Sequence, residues 1–262
     1  MTDSPENNAA LTYTSYLVLD EVLNAQRTRS EEHDELLFIV IHQVYELWFK
    51  QILHELAELQ RRLEAGATAH AVRSLRRVLT IFKVIVAQID VLETMTPSQF
   101  TGFRERLDAS SGFQSAQFRE LESVLGRRDG RVVRNHPPSQ ARDRVTDAMT
   151  RPSVFDSFVT YLAECGYDVP TGRDVSRPLE PSEELQEVLL KVYQDDGGPS
   201  TIAEHLVDLD EGVQEWRYRH VKMVERTIGD KTGTGGSSGA HYLRKTLFQP
   251  MFPDLWAVRS RL

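Results

Sequence analysis

Apolar residues recur at alternating steps of three and four along the chain from Ile202 to Thr227. The series is Ile202, Leu206, Leu209, Val213, Trp216, His220, Met223 and Thr227. This spacing predicts a helix that opens at Ser200, turns one face towards a core and ends at Gly229. His220 stands where Leu or Met is expected. An imidazole in that position needs a partner, because an unsatisfied buried polar group costs about 1–3 kcal/mol.

A second long helix is predicted from about residue 31 to residue 64. Its main apolar stripe is Leu37, Ile41, Val44, Trp48, Ile52 and Leu56, and a parallel stripe is Phe38, His42, Tyr45 and Phe49. The helix is apolar over more than half of its circumference, which predicts a central place in the fold. His42 lies in the middle of this apolar stretch.

Helical patterns continue through the rest of the chain. Further helices are predicted over residues 69–92, 97–107, 113–125, 139–149, 153–165, 182–193, 240–247 and 253–261, with loops at 127–138 and 167–181. Thr96 and Gln99 form a capping box, and Pro97 fits the first helical position. No window alternates with the period of a strand. The fold class is therefore predicted to be all-α, a helical bundle, with residues 1–262 as a single domain because no polar linker separates two cores.

Composition narrows the function classes. The chain has 262 residues, a net charge of −8 and one cysteine. An acidic chain without a long basic run is not expected to bind nucleic acid or a membrane surface. A lone cysteine excludes an intrachain disulfide and thiolate-based zinc or iron–sulfur sites within one chain. The N-terminus lacks a signal peptide, and the longest apolar run, Leu36–Ile41, is too short to span a bilayer, so we expect a cytoplasmic protein.

The two core histidines allow more than one interpretation. Each, taken alone, is most simply a core histidine that is hydrogen-bonded to a neighbour; a metal ligand is the alternative. Together, on two long helices among aromatic residues, they indicate a cavity for a planar, apolar group such as haem. The sequence lacks the C-x-x-C-H and H-E-x-x-H motifs, and GDKTGTGG is not a phosphate-binding P-loop. The glycine-rich segment after Gly229 is typical of a mobile loop that closes a site.

Arg104 is a candidate for anion recognition. It follows Phe103 and lies four residues after Phe100, on a helix otherwise built for the core. A partly buried guanidinium favours a carboxylate or phosphate, ideally with two parallel hydrogen bonds. A structural ion pair with a nearby acidic residue is the alternative.

Four segments together carry a family resemblance. They are YTSYLVLDEVLNAQ (13–26), HDELLFIVIHQVYELWFKQILHEL (33–56), LETMTPSQFTGFRERLDASSGFQSAQFRELE (92–122) and WRYRHVKMVERTIGDKTGTGGSSGAHYLR (216–244). In this order the chain resembles the tryptophan 2,3-dioxygenases, haem enzymes that open the indole ring of L-tryptophan. Only residues 127–200 give little to compare.

The resemblance implies an all-helical protein with a buried haem b pocket and a glycine-rich active-site loop near its C-terminus, usually in a homotetramer. By motif position His220 would be the proximal ligand of the haem iron, and His42 the distal histidine that faces the indole N–H. The N-terminal segment, residues 1–30, would contact a neighbouring subunit and help to complete its active site through Tyr13, Tyr16 and Leu17.

The resemblance also implies residues around the substrate and the haem edge. Phe38, Phe100, Arg104 and Thr234 would lie against the substrate, and Ser111 and Gly112 beside the haem edge. Arg104 would hold the substrate carboxylate, and Thr234 would contact the ammonium and the carboxylate. Phe38 would wall the indole pocket. Phe100 stands where some members have a tyrosine whose hydroxyl helps to hold the carboxylate, which leaves Arg104 with more of that task.

Three functions are compatible with these features. The first is insertion of both atoms of O2 into L-tryptophan, giving N-formylkynurenine, the first step of the kynurenine pathway. The second is a haem monooxygenase of specialised metabolism that converts a substituted tryptophan to a 2-oxindole. The third is non-catalytic, a sensor of haem or tryptophan or a helical scaffold. His42, Arg104 and GTGGSSG favour an indole amino acid over tyrosine, but they do not distinguish insertion of two oxygen atoms from insertion of one.

Overall fold

The computed structural model describes residues 10–108, 110, 114–134, 137–231 and 240–262. The α-helices in chain order are α1 (Tyr13–Leu17), α2 (Leu19–Val22), α3 (His33–Glu64), α4 (Thr68–Leu92), α5 (Pro97–Arg104), α6 (Ala116–Val124), α7 (Gly130–Arg134), α8 (Gln140–Thr150), α9 (Val154–Glu164), α10 (Glu183–Asp195), α11 (Gly198–Ile228), α12 (Ala240–Arg244) and α13 (Pro253–Ala257). Short 3₁₀ turns follow α5 at Glu105–Leu107 and α13 at Val258–Arg261. The described ranges contain no strand, so the predicted all-α class is confirmed.

Three long helices form the centre of the bundle. α4 packs along both α3 and α11, while α6 and α9 pack on α3. Their buried apolar side chains belong to one hydrophobic cluster, to which α10 and α13 add Leu185, Leu189 and Leu255. This arrangement holds α3 and α11, the helices that carry the two core histidines, in one packed body.

The inward face of α3 differs from the predicted stripe. Its buried apolar line runs through Ile41, Tyr45, Phe49, Ile52 and Leu56. Tyr45 and Phe49 were placed in the second stripe, whereas Val44 and Trp48 of the main stripe are only half-buried. The reason is that α4 and α6 cover the surface between the two stripes, and a helix with apolar residues over half its circumference leaves that choice to its neighbours.

Most helix ends follow the local signals in the sequence. Thr96 accepts a hydrogen bond from the backbone N–H of Gln99, and the Gln99 side chain accepts one from the N–H of Thr96, so the capping box is present. α11 ends as predicted, with Gly229 at φ +59°. Its start was predicted two residues late, at Ser200. It begins at Gly198, with Pro199 in the first turn. Proline is tolerated there because the N–H groups of the first turn have no carbonyl partner within the helix, so the missing N–H costs nothing.

Two regions hold helices that the sequence patterns did not predict. α7 lies in the stretch 127–138 that was assigned to a loop, and α1 and α2 lie before the first predicted helix. All three are short, at five, four and five residues for α1, α2 and α7. A helix of one turn is too short to establish an apolar period.

One helix, α3, combines a length and a mean hydropathy that are also found in membrane-spanning helices. An 18-residue window of α3 has a mean hydropathy of 1.3, with 22% of the window buried, so its length and composition would allow it to cross a bilayer. Polar residues interrupt it, so counting uninterrupted apolar runs had missed it. The C-terminal half of α3 lies in the core of the bundle, with Leu56, Leu59 and Leu63 fully buried.

A buried carboxylate fastens the C-terminal segment to α11. One oxygen of Asp210 accepts hydrogen bonds from the backbone N–H groups of Met251 at 2.8 Å and Phe252 at 3.0 Å. The same oxygen accepts the indole N–H of Trp256 at 2.9 Å. Three donors on a fully buried carboxylate offset the free energy of its desolvation. The last turns of the chain are thereby held against α11.

Candidate active site

Four aromatic side chains from α3 and α5 form one wall of the candidate site, which we call the α3–α5 wall: Phe38, His42, Phe100 and Phe103. The ring centroids of Phe38 and His42, one turn apart on α3, are 4.1 Å apart. Phe38 also lies 5.8 Å from Phe100 and 5.6 Å from Phe103. The capping box at Thr96 sets the start of α5, so that Phe100 and Phe103, three residues apart, face α3 together. The wall is therefore a continuous aromatic surface with one imidazole.

His42 has a fixed tautomer. Its Nδ1 lies 2.7 Å from the carbonyl oxygen of Phe38. A carbonyl only accepts, so Nδ1 carries the proton and donates, and Nε2 of the neutral ring keeps its lone pair. Removal from water lowers the pKa of His42, although the bond to the Phe38 carbonyl and the charge of Glu46 both oppose that change. The ring is neutral at pH 7, with Nε2 as a hydrogen-bond acceptor.

A second group of aromatic residues lies on α11 and α6, and we call it the α11–α6 wall: Phe118, Trp216 and His220. The indole of Trp216 stacks on the imidazole of His220 with centroids 5.1 Å apart and planes 6° apart. Phe118 lies 4.5 Å from Trp216 on the other side. Phe49 of α3 lies 5.4 Å from Phe118 and 6.1 Å from Trp216, which anchors this wall to α3.

His220 is held neutral without a hydrogen bond. Burial, reinforced by the positive charges that His42 and Arg119 carry when protonated, lowers the pKa of His220 to about 4. Within the part of the chain that the structure describes, its ring nitrogens have no hydrogen-bond partner. The buried Nε1 of Trp216 likewise has none there. A neutral imidazole whose nitrogens are not satisfied by the chain is a suitable donor to a metal ion.

The donor set fits haem better than a bare metal ion. Among the described residues no group of three or more His, Cys, Asp or Glu side chains could hold a metal ion. A porphyrin itself supplies four nitrogen ligands to its iron, so the protein needs to add only an axial imidazole. The flat aromatic surfaces of the two walls are also suited to a planar group. The residues present therefore fit the haem that the sequence predicted.

Arg104 closes α5, next to Phe103 of the α3–α5 wall. Its side chain is half-buried and interacts with a neighbour, so it is not a free surface charge. Phe100, one turn earlier, is 8% exposed. Arg104 thus lies beside the aromatic wall, and its recognition of a carboxylate stays a prediction.

The three predicted site residues of the N-terminal segment are not brought to these walls. Tyr13 and Tyr16 lie on α1 and are 76% and 72% exposed, and Leu17 is 38% exposed. α1 packs against α2 at the surface. Thr234, Ser111 and Gly112 lie outside the described residues.

A buried ion cluster lies next to the α11–α6 wall and was not predicted. The carboxylate of Glu122 on α6 receives Nη1 of Arg119 at 2.7 Å, Nη2 of Arg217 at 2.7 Å and Nη1 of Arg127 at 3.4 Å. Burial alone would raise the pKa of Glu122, but these three positive charges outweigh it and lower the pKa to about 2. Because Arg217 directly follows Trp216, the cluster fixes the turn of α11 that precedes His220.

Sequence patterns could have identified some of these residues. Trp216 lies four residues before His220 on a predicted helix, which places the two rings on one face. Phe103 shares its helix face with Phe100 for the same reason. Nothing local marks the pairing of Glu122 with Arg217, because the two residues are 95 positions apart.

The sequence of this chain is similar to the sequences of proteins from one known family. A family model described as tryptophan 2,3-dioxygenase matches residues 2–167 and 177–262 of the chain. A tryptophan 2,3-dioxygenase of Anaeromyxobacter dehalogenans is 64% identical over 266 residues and covers 100% of both chains. Proteins of the same name from Herpetosiphon aurantiacus and Caulobacter vibrioides are 57% and 43% identical, covering 97% and 96% of this chain and 99% and 98% of their own.

Proposed function

The chain belongs to the tryptophan 2,3-dioxygenase family of haem-dependent, tryptophan-oxidising enzymes, and from this premise we propose that it cleaves the C2–C3 bond of the indole ring of L-tryptophan with O2. The product would be N-formylkynurenine, which begins the kynurenine pathway. The observation that carries the proposal is the pair of neutral, electrostatically interacting histidines on two aromatic walls, one with a fixed tautomer and the other without a hydrogen bond in the described ranges.

His220 is the proposed axial ligand of haem b. Its pKa of about 4 means that no proton has to be displaced before the ring binds iron at neutral pH. When bound, haem supplies the iron that activates O2 for reaction with the indole ring. Trp216 stacks on His220 and restricts the ring's rotation. Ser111 and Gly112 are proposed to lie beside the haem edge.

His42 is the proposed catalytic partner of the indole. Since Nδ1 donates to the Phe38 carbonyl, Nε2 is the atom that accepts the indole N–H. This contact orients the ring and can take its proton as C2 and C3 react. Phe38 stacks beside His42 and would wall the indole pocket, so that the heterocycle meets an aromatic surface and one acceptor.

The amino-acid end of tryptophan carries two charges that a dry pocket must satisfy. Arg104 is proposed to hold the carboxylate, a charge-assisted contact that contributes about 1.5–3 kcal/mol. Thr234, together with a haem propionate, would meet the ammonium. Phe100 has no hydroxyl to assist Arg104. Closure of the glycine-rich loop that carries Thr234 would exclude water from the site.

We further propose a homotetramer of single-domain chains in the cytoplasm. The proposal is supported by apolar side chains that remain uncovered on α1 and α3, namely Tyr13, Tyr16, Leu36, Val40 and Leu47. Exposed apolar patches of this kind are typical of subunit interfaces. The segment 1–30, with Tyr13, Tyr16 and Leu17, would complete the site of a neighbouring subunit. The one hydrophobic cluster of the described residues supports a single domain.

Mass spectrometry of the product tests the proposed reaction. The haem-loaded, reduced protein would be incubated with L-tryptophan and ¹⁸O₂. We expect N-formylkynurenine with two labelled oxygen atoms, and turnover at low substrate that is about tenfold to a hundredfold slower in the Arg104→Ala variant. A product with a single labelled atom, such as a 2-oxindole, would replace the proposal by a monooxygenase. Turnover of a substituted tryptophan but not of tryptophan would identify a specialised enzyme.

A further inference from the structure

A cavity lies beside the Glu122 ion cluster, next to the α11–α6 wall. It has a volume of about 280 Å³ and lies where the chain after α6 meets the segment before α10 and the segment before α13. The described residues of its lining include none of those proposed to hold haem or substrate, but they include four arginines: Arg127, Arg128, Arg131 and Arg217. The volume is near the lower end of the roughly 300–1,000 Å³ of small-molecule sites, so it suits a small ligand.

The cavity wall is strongly positive. Five guanidinium groups lie in or beside it, on Arg119, Arg127, Arg128, Arg131 and Arg217, against the three carboxylates of Glu122, Asp129 and Asp210. Among these groups the excess is two positive charges, in a chain whose net charge is −8. The neighbouring pair Arg173–Asp156, joined at 2.7 Å, adds no net charge.

Arg128 supplies one of the charges that no carboxylate of the described residues pairs. Its guanidinium donates to the backbone carbonyls of Val175 at 3.0 Å and Arg151 at 2.8 Å, and also to that of Ser123. Burial lowers the pKa of Arg128, opposed by the charge of Asp156 and aided by that of Arg173. These carbonyls fix the side chain in place and leave its positive charge uncancelled.

Arg127 supplies a second charge. Its contact with Glu122 is long, 3.4 Å to an oxygen that also binds Arg217. Arg217 is 4% exposed at the base of the cavity, whereas the side chain of Arg131 is 73% exposed at its mouth. Positively charged side chains therefore extend from the buried base of the cavity to its exposed mouth. This arrangement would admit a small anion from solvent.

The floor of the cavity is shaped by a glycine. Gly126 has φ +118°, and a Cβ at this position would overlap the side chain of Leu179. Glycine is therefore required both for the backbone turn after α6 and for the close approach of Leu179. Arg127 and Arg128 follow this turn directly, whereas Arg217 lies on α11 and is held by Glu122.

We propose that this cavity binds a small oxyanion with two negative charges, of the phosphate or dicarboxylate type, through Arg127, Arg128 and Arg217. Arg131 at the mouth attracts the anion. Guanidinium groups suit these ligands because their paired N–H groups match two oxygens of a phosphate or carboxylate. These arginines are not among the residues proposed to hold tryptophan or haem, so the proposal does not rest on the proposed function.

Calorimetric titration of the whole chain tests the proposal. The probes are sodium phosphate and sodium succinate, with sodium acetate and sodium chloride at equal ionic strength as references. We expect saturable binding of phosphate or succinate, whichever matches the site, and a rise of the thermal midpoint with that probe by mass action. The arm that binds identifies the oxyanion type. Acetate and chloride are expected to give neither effect.

Matched variants locate the site. Arg127→Gln is expected to weaken binding by at least about tenfold, the effect of losing one charge-assisted contact. Arg61→Gln is the control, since it removes the same charge from an exposed pair with Glu58 on α3. If Arg127→Gln does not fold, Arg131→Gln, which changes an exposed side chain, is expected to weaken binding by a smaller factor.

Three results would overturn the proposal. The first is the absence of saturable binding of either dianion. The second is an equal effect of acetate or chloride at the same ionic strength, which would mean simple screening of charge. The third is binding that is unchanged by Arg127→Gln, or by Arg131→Gln where the first variant does not fold.

Discussion

The two aromatic walls each contain one imidazole, but they hold it differently. On the α3–α5 wall, His42 donates to the Phe38 carbonyl at 2.7 Å, which settles the tautomer and leaves Nε2 as an acceptor. On the α11–α6 wall, His220 stacks on Trp216 and has no hydrogen bond among the described residues. Both histidines have a lowered pKa. Both rings are therefore neutral. They differ in that only His42 has a hydrogen bond, and this difference is the basis of the different roles that we propose.

The comparison shows how a helical bundle can prepare one residue type for the two roles that we propose. A histidine that is satisfied by its own helix can accept a proton or a hydrogen bond from a substrate at one defined atom. A histidine that is left unsatisfied is available as a metal ligand. We therefore expect changes on the α11–α6 wall to affect haem content, and changes on the α3–α5 wall to affect substrate binding and turnover.

The largest effect is expected for His220→Ala. Loss of the only proposed axial ligand should reduce haem to below about a tenth of one equivalent per chain, because several kcal/mol of binding is lost with a metal–ligand bond. Haem content is measured from the absorption spectrum of the purified protein. His205→Ala is the matched control, since His205 lies on the same helix and bonds the Thr201 carbonyl at 2.8 Å. Full haem content and an unchanged spectrum in His220→Ala would reject the assignment.

Arg104→Ala is expected to show the next largest effect, on substrate alone. Losing a charge-assisted contact of about 1.5–3 kcal/mol should raise the KM for L-tryptophan about tenfold to a hundredfold, with haem content unchanged. Steady-state kinetics measures this change. Arg106→Ala, two residues further along, is the control because Arg106 is exposed. An unchanged KM in Arg104→Ala would remove the carboxylate contact from the proposal.

We expect acid to lower the free energy of unfolding through the buried His220. The unfolded chain takes up a proton at His220 near pH 6.5, but the folded chain does so only near pH 4, so the free energy of unfolding falls as pH is lowered from 6.5 to 4. For haem-free protein the loss between pH 7 and pH 5 is at most about 2 kcal/mol from this residue. Urea unfolding at both pH values measures the loss, and His220→Ala should show less of it.

Glu122 adds a second loss at lower pH. Its pKa is lowered from 4.5 to about 2, so its ion cluster stabilises the fold above pH 4.5 and ceases to do so as pH falls towards 2. A free energy of unfolding that stays constant from pH 6.5 to pH 4 in the parent protein would contradict a buried, neutral His220.

A smaller effect is expected for His42→Ala, which should keep its haem. The variant loses one neutral hydrogen bond to the indole, about 0.5–1.5 kcal/mol, so kcat/KM should fall about threefold to tenfold. His42→Gln restores an acceptor and should recover part of the loss. His54→Ala on the exposed side of α3 is the control. Loss of haem in His42→Ala would mean that the roles of the two walls are reversed.

Helical periodicity predicted much of the fold but not the pairing between helices. α4 and α5 begin within one residue of their predicted starts, because capping residues and apolar spacing are local signals. The buried line of α3 was misassigned, since α4 and α6 decide which part of its broad apolar surface is covered.

The site shows the same limit. The sequence predicted that His42 and His220 share a cavity, and the structure adds the Phe38 carbonyl and Trp216, which lie one turn away on the same helices. The Glu122–Arg217 pair could not be predicted, because an ion pair across 95 residues leaves no local pattern. The roles of Arg104 and Thr234 rest on the family resemblance and stay predictions.

The smallest expected effect is that of adding a hydroxyl group to the α3–α5 wall at Phe100. Phe100 is 8% exposed and packs 5.4 Å from Phe103 and 5.8 Å from Phe38. Phe100→Tyr adds one donor near the proposed carboxylate site and changes little volume, so KM should fall about twofold to fivefold with haem content unchanged. In Arg104→Ala the same change should recover part of the lost affinity. A higher KM in both backgrounds would show that the hydroxyl is buried without a partner, and that Phe100 does not face the carboxylate.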